Sequence, residues 1–258
     1  CFSGCSGLTS ITIPSSVTSL GDFCFYCCSG LTSITIPSSV TSLGNSCFSN
    51  CSGLTSITIP SSVTSLGNYC FSGCSGLTSI TIPSSVTSLG MFCFQRCRGL
   101  TSITIPSSVT SLGEGCFEDC SDLTSITIPS SVTSLGWSCF DGCSGLETVY
   151  FKGKYCRSNY VDLDIPTTSI IKVPTEYLQG YKDSFGPDYK YIYAWNPDET
   201  GEDNKPVTQC STPSVSYGEG KLMFACETTG AKYHYTITDT DIKSDALSEN
   251  GEVSLSAA

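Results

Sequence analysis

The chain has 258 residues and a formal net charge of −11, from 23 acidic and 12 basic side chains with a single histidine. That balance leaves no basic face to attract phosphates, which excludes nucleic acid as a partner. No apolar run of roughly 18 residues exists to span a bilayer, so no membrane insertion is expected of this segment.

A 23-residue unit, C-F-x-x-C-S-G-L-T-S-I-T-I-P-S-S-V-T-S-L-G-x-x, begins at Cys1 and returns at Cys24, Cys47, Cys70, Cys93, Cys116 and, less perfectly, Cys139. A fixed period of this length marks a repeat solenoid, in which stacked coils share a core that none can bury alone. Phe2, Leu8, Ile11, Ile13, Val17 and Leu20 come back as Phe25, Leu31, Ile34, Ile36, Val40 and Leu43, so the core is expected to be a set of columns.

Within each unit, L-T-S-I-T-I follows the L-x-x-L-x-L pattern, with Ile11 and Ile13 inward and Ser10 and Thr12 outward, and predicts a short parallel strand. Pro14 and its equivalents lack the N–H that a ladder needs and end that strand. V-T-S-L-G predicts a second short extended piece closed by a glycine able to take positive φ. C-F-x-x-C-S-G reads as one helical turn, since Cys1 and Cys5 at i and i+4 share a face, with Gly7 or Asp122 as its C-terminal cap.

Fourteen of the 18 cysteines fall in the two columns that start at Cys1 and Cys5. Stacking places neighbours in a column about 5 Å apart, within reach of a disulfide. Parallel inward side chains and seven members per column favour reduced core thiols, with some disulfides or a metal as the alternatives. Cys27 sits at an outward variable position and is expected to be the most available thiol, with possible self-association through it.

The unit resembles the BspA-like leucine-rich repeat, approximately A-F-x-x-C-x-x-L-x-x-I-x-I-P-x-x-V-x-x-I-G, with cysteine here in place of the alanine and leucine in place of the last isoleucine. The resemblance covers residues 1 to about 151. It implies a leucine-rich-repeat right-handed coil of 23-residue units, a secreted or cell-surface location, and adhesion to host or microbial proteins or glycans.

Residues 152–195 bring in charges and many tyrosines. Ile170 to Trp195 is similar to the closing coils of that family, and large amphipathic rings suit a cap over apolar columns. No comparable cap precedes Cys1, so a fragment is expected whose uncapped first coil can self-associate. Residues 196–209 read as an acidic, proline-bounded linker. Residues 210–258 contain strand-like runs that resemble the β-sandwich modules of chitobiase-type extracellular proteins, cut short to a small partial sandwich. Cys210 and Cys226 can pair across strands there or fill its core.

Catalytic chemistry is undersupplied. His234 lies inside an alternating strand, and Asp239, Asp241 and Asp245 lack the glycine and glutamate of a calcium loop. No enzyme activity, cofactor or metal is therefore expected. The candidate partner-binding residues are the hydroxyl row Thr35, Thr58, Thr81 and Thr104 on the strand face, and Phe23, Tyr69, Phe92 and Trp137 with Arg96 at the variable edge, the aromatics expected to form one row. An adhesive interaction module is the leading reading, with a carbohydrate-associated surface protein or a structural spacer as alternatives. Ice binding by the threonine rows needs a flatness that such solenoids normally lack.

Overall fold

The structure is a computed structural model that describes residues 1–154, 163–185 and 188–195, together with the backbone of four later strands. It divides into two units, Cys1–Pro197 and Asp198–Ala258. The linker 196–209, Cys210, Cys226, His234, Asp239, Asp241 and Asp245 lie outside the described residues.

The first unit contains, in chain order, β1 (Ser19–Leu20), β2 (Ser33–Thr35), β3 (Ser42–Leu43), β4 (Ser56–Thr58), β5 (Ser79–Thr81), β6 (Ser88–Leu89), β7 (Ser102–Thr104) and β8 (Ser111–Leu112). There follow β9 (Ser125–Ile128), β10 (Ser134–Leu135), β11 (Thr148–Phe151), β12 (Ile170–Pro174), α1 (Leu178–Phe185) and β13 (Ile192–Trp195). The fold is a parallel β-solenoid of 23-residue coils.

Eight strands form one parallel sheet in the order β13-β12-β11-β9-β7-β5-β4-β2. Its register pairs equivalent residues, Thr35 with Thr58 and Thr58 with Thr81, because every coil spends the same number of residues on its circuit. Serine and threonine flank a buried isoleucine in β2, β4, β5, β7 and β9, the alternation that a half-buried sheet requires. The strand stops at Ile36–Pro37, where the Val40 N–H donates to the Pro37 carbonyl at 3.0 Å in a tight turn. The Ser-Leu pieces make a second ladder, β1-β3 and β6-β8-β10, joined by bridges at Leu66.

The interior is the expected set of columns. Phe25, Phe48, Phe71, Phe94, Phe117 and Phe140 are fully buried and stack with ring centroids 5.4 to 5.9 Å apart and planes within 5° of parallel. The described cysteines are free thiols, and both columns are buried from Cys47 onward.

The C-F-x-x-C-S-G segment is not a helical turn. The N–H groups of Phe23, Phe25 and Cys27 donate to Asn45, Cys47 and Ser49 of the next coil, while those of Tyr26 and Cys28 close turns onto Phe23 and Phe25 within their own coil. The residue just before the segment and the one before its second cysteine have positive φ, which breaks any helix: Phe23 (56°) and Cys27 (58°) in the first complete example. The glycine ending V-T-S-L-G does not have positive φ. It is needed because coils touch there, and a Cβ at Gly90 would lie 2.7 Å from the carbonyl carbon of Gly67.

At the far end, the Tyr181 ring is buried against Phe151 at 5.2 Å, with its hydroxyl donating to the Gly153 carbonyl at 2.8 Å. Phe185 and Tyr189 pack against the same core, and the Tyr189 hydroxyl donates to the Ile165 carbonyl at 3.1 Å. In the second unit, β14 (Ser214–Gly218), β15 (Lys221–Ala225), β16 (Ile242–Ser244) and β17 (Glu252–Ala257) form one antiparallel sheet in the order β14-β15-β17-β16.

Candidate functional site

Two surfaces of the solenoid carry the residues singled out by sequence. The first is the outer face of the eight-stranded sheet, where Thr35, Thr58, Thr81 and Thr104 are exposed and in register. Each is one strand spacing, about 4.8 Å, from the next. A neighbouring threonine row is spent on the fold: the hydroxyls of Thr55 and Thr101 donate to the carbonyls of Thr32 and Thr78 in the preceding coils at 3.3 Å.

The second surface is the edge formed by the turn segments. Phe23, Tyr69 and Phe92 occupy one column, each with φ of 55° to 56°. The same column holds Ser46, Gly115 and Ser138 in the other coils, so the backbone there can be built from small residues. The four aromatics do not form the single row expected. Trp137 belongs to the adjacent column, one residue earlier in its coil, and Ser46 separates Phe23 from Tyr69. Tyr69 and Phe92 do stack, with centroids 4.9 Å apart and planes 15° apart. The Phe92 ring then lies over Gly115, where a Cβ would come within 2.3 Å of it. Phe23 instead meets Tyr26 edge-on at 5.7 Å.

The column that holds Trp137 begins as a polar ladder. The Asp22 carboxylate accepts the Asn45 N–H at 2.7 Å, the Asn45 side-chain oxygen accepts the Asn68 N–H at 2.9 Å, and that of Asn68 accepts the Met91 N–H at 2.8 Å. Met91 offers no such acceptor, and both it and Trp137 (55% exposed) stand out in solvent. Met91 thus joins the patch, a residue that sequence reasoning passed over. The signal was available as the interruption of Asp-Asn-Asn by an apolar residue. Beside the patch, Arg96 forms an exposed ion pair with Asp119 at 3.4 Å.

The cysteine columns face inward and are chemically quiet. Burial pushes the thiols of Cys70, Cys74, Cys97 and Cys116 well above their ordinary range, and that of Cys93 up to about 12. Cys27 is not the most available thiol: it is half-buried, and Cys1 and Cys5 are exposed. A hydrogen bond with the Cys27 side chain raises the pKa of the Tyr26 phenol. Among the described residues no group of three or more histidines, cysteines, aspartates or glutamates is placed to hold a metal ion, and no helix is long and apolar enough to cross a membrane.

The model of the BspA type leucine rich repeat region matches residues 1–75 and 53–160, in six copies. The chain belongs to the BspA-type leucine-rich repeat family. No curated protein matches it. Among solved structures, this BspA-type chain is similar to the T. pallidum leucine rich repeat protein, at 22% identity over 66% of this chain and 88% of that one, with a TM-score of 0.49. It is also similar to a leucine rich cell surface protein from Faecalibacterium prausnitzii, at 25% identity over 66% of this chain and 65% of that one, with a TM-score of 0.47. A leucine-rich repeat protein from Bacteroides ovatus is 24% identical over 74% of this chain and 61% of that one, with a TM-score of 0.44.

Proposed function

We propose that the chain is the interaction module of a secreted or cell-surface protein that adheres to host or microbial macromolecules, chiefly proteins, through the edge formed by Tyr69, Met91, Phe92 and Trp137. The observation that carries this reading is that Tyr69, exposed, and Phe92, half-buried beside it, occupy left-handed backbone positions where a side chain costs stability. A left-handed φ disfavours any side chain by about 1–2 kcal/mol relative to glycine. Gly115 shows that the same position accepts the relaxed residue. Met91 and Trp137 likewise stand where Asn45 and Asn68 would extend a hydrogen-bonded ladder. Folding gains little from these choices, and aromatic residues, methionine and arginine are the side chains that interfaces concentrate.

The rings also favour a protein over a stacked sugar at this edge. Tyr69 and Phe92 stack on each other and the second face of Phe92 lies over Gly115, so these ring faces are taken up within the edge, an arrangement better suited to contact with apolar side chains. The second unit, through its resemblance to modules appended to chitobiase-type proteins, is assigned to the same extracellular setting.

The test is binding of the chain to immobilised host matrix proteins and mucin, compared with Phe92→Gly. Because glycine relieves the left-handed backbone, the variant should keep its stability within about 1 kcal/mol of the parent while binding weakens at least tenfold. Equal binding by parent and variant would remove this edge from the account.

A further inference from the structure

We infer that the outer face of β11, β12 and β13 is a second binding surface, separate from the aromatic edge, and that its ligand is an uncharged oligosaccharide. In β2 to β9 every outward residue of the sheet is serine or threonine, and in the three closing strands the character of this face changes. Thr127 pairs with Tyr150, Tyr150 with Lys172, and Lys172 with Tyr193. One step along the strands, Ile170 stands opposite Tyr191, since Ile171 pairs with Ile192. Trp195 packs edge-on to Tyr150 at 5.1 Å, and Tyr150 is buried, so the rings open to a ligand are those of Tyr191 and Tyr193.

Capping does not explain these rings. The apolar columns are closed by Phe151, Tyr181, Phe185 and Tyr189, which pack on the core side. Tyr191 and Tyr193 point the other way and remain 44% and 48% exposed. A fold that needed only a covered end would continue the threonine rows here at no cost in exposed apolar area.

Charge and chemistry select the ligand. Along the outward track from Thr35 to Tyr193, and along the parallel track from Ser33 to Tyr191, Lys172 is the one charged side chain. Its ammonium lies 5.8 Å from the Tyr193 ring centre, where the ring partly occupies it. A polyanion would find few cations here, Lys172 on these tracks and the exposed Lys152 just past β11, on a chain of net charge −11. A neutral saccharide offers what the face accepts: apolar ring faces to lie on the tyrosines, and hydroxyls to exchange hydrogen bonds with the adjoining threonines.

Titration calorimetry of the full chain with cellohexaose, chitohexaose and mannohexaose, with a heparin hexasaccharide as the charged comparator, tests the assignment. At least one neutral hexasaccharide should bind. Tyr193→Ala should weaken it roughly tenfold, Tyr193→Phe should retain it, and both variants should melt like the parent. Phe92→Gly should leave saccharide binding unchanged, so that this surface and the protein-binding edge stand or fall separately. The inference is overturned if none of the neutral hexasaccharides binds, if binding survives Tyr193→Ala, or if heparin alone binds.

Discussion

Cys74 donates its S–H to the carbonyl of Phe48 in the preceding coil at 3.1 Å, and Cys51, Cys97, Cys120 and Cys143 repeat the bond at 3.0 to 3.2 Å. That hydrogen bond accounts for cysteine in this column: it gives the Phe48 carbonyl a second donor beside the Cys51 N–H at 3.1 Å, one that alanine cannot supply and a disulfide would consume. Cys74→Ala should therefore lower stability by about 1–2 kcal/mol, from the lost bond and the vacated sulfur volume, and a thermal melt should drop by roughly 2–4 °C. Alkali should act on the same groups together. An unfolded thiol ionises near 9.0, whereas burial holds Cys93 to about 12. Because the folded value is the higher one, this contribution to stability is complete below pH 9.0 and declines as pH climbs toward about 12. Urea midpoints measured from pH 8 upward should stay level and then fall beyond about 9, in step with the appearance of thiolate absorbance.

At the scale of the element, the polar ladder running from Asp22 to Asn68 ends at Met91. Met91→Asn would offer a side-chain oxygen to the Glu114 N–H, and should raise stability by about 1 kcal/mol while weakening the proposed protein contact. Urea titration paired with the matrix-binding assay checks both signs. The strands were legible in the sequence because alternation and a recurrent proline act within one coil. The turn segment was misread because Cys1 and Cys5 at i, i+4 fit a helical face and equally fit two inward residues of consecutive turns. Its true conformation had left a trace: Gly4, Asn50, Gly73, Asp119 and Gly142 are residue types that tolerate a left-handed backbone, all at one position of the repeat. Glycine's role at Gly44, Gly67 and Gly90 was hidden, since the atoms that forbid a Cβ belong to the neighbouring coil.

For the whole molecule, the column architecture makes coils interchangeable. Removing residues 24–46 joins Phe23 to Cys47 in register and spares Tyr69, Phe92 and Trp137. The shortened chain should still unfold cooperatively, with a smaller denaturant m-value because less surface is buried, and should retain partner binding. The columns were readable because identical side chains recur at identical spacing. The candidate site was readable only in part: exposure of Phe23 and Trp137 followed from their variable positions, but the split into two columns and the pairing of Tyr69 with Phe92 depend on how coils sit on one another.

The same ladder of backbone bonds at every coil junction has a genetic corollary. Replication slippage or unequal crossing-over that gains or loses a whole coil yields a chain that still closes its hydrogen bonds, and each added coil lengthens the array by about 5 Å. How far the proposed binding surfaces stand from the start of the array can thus drift between lineages without a single destabilising intermediate.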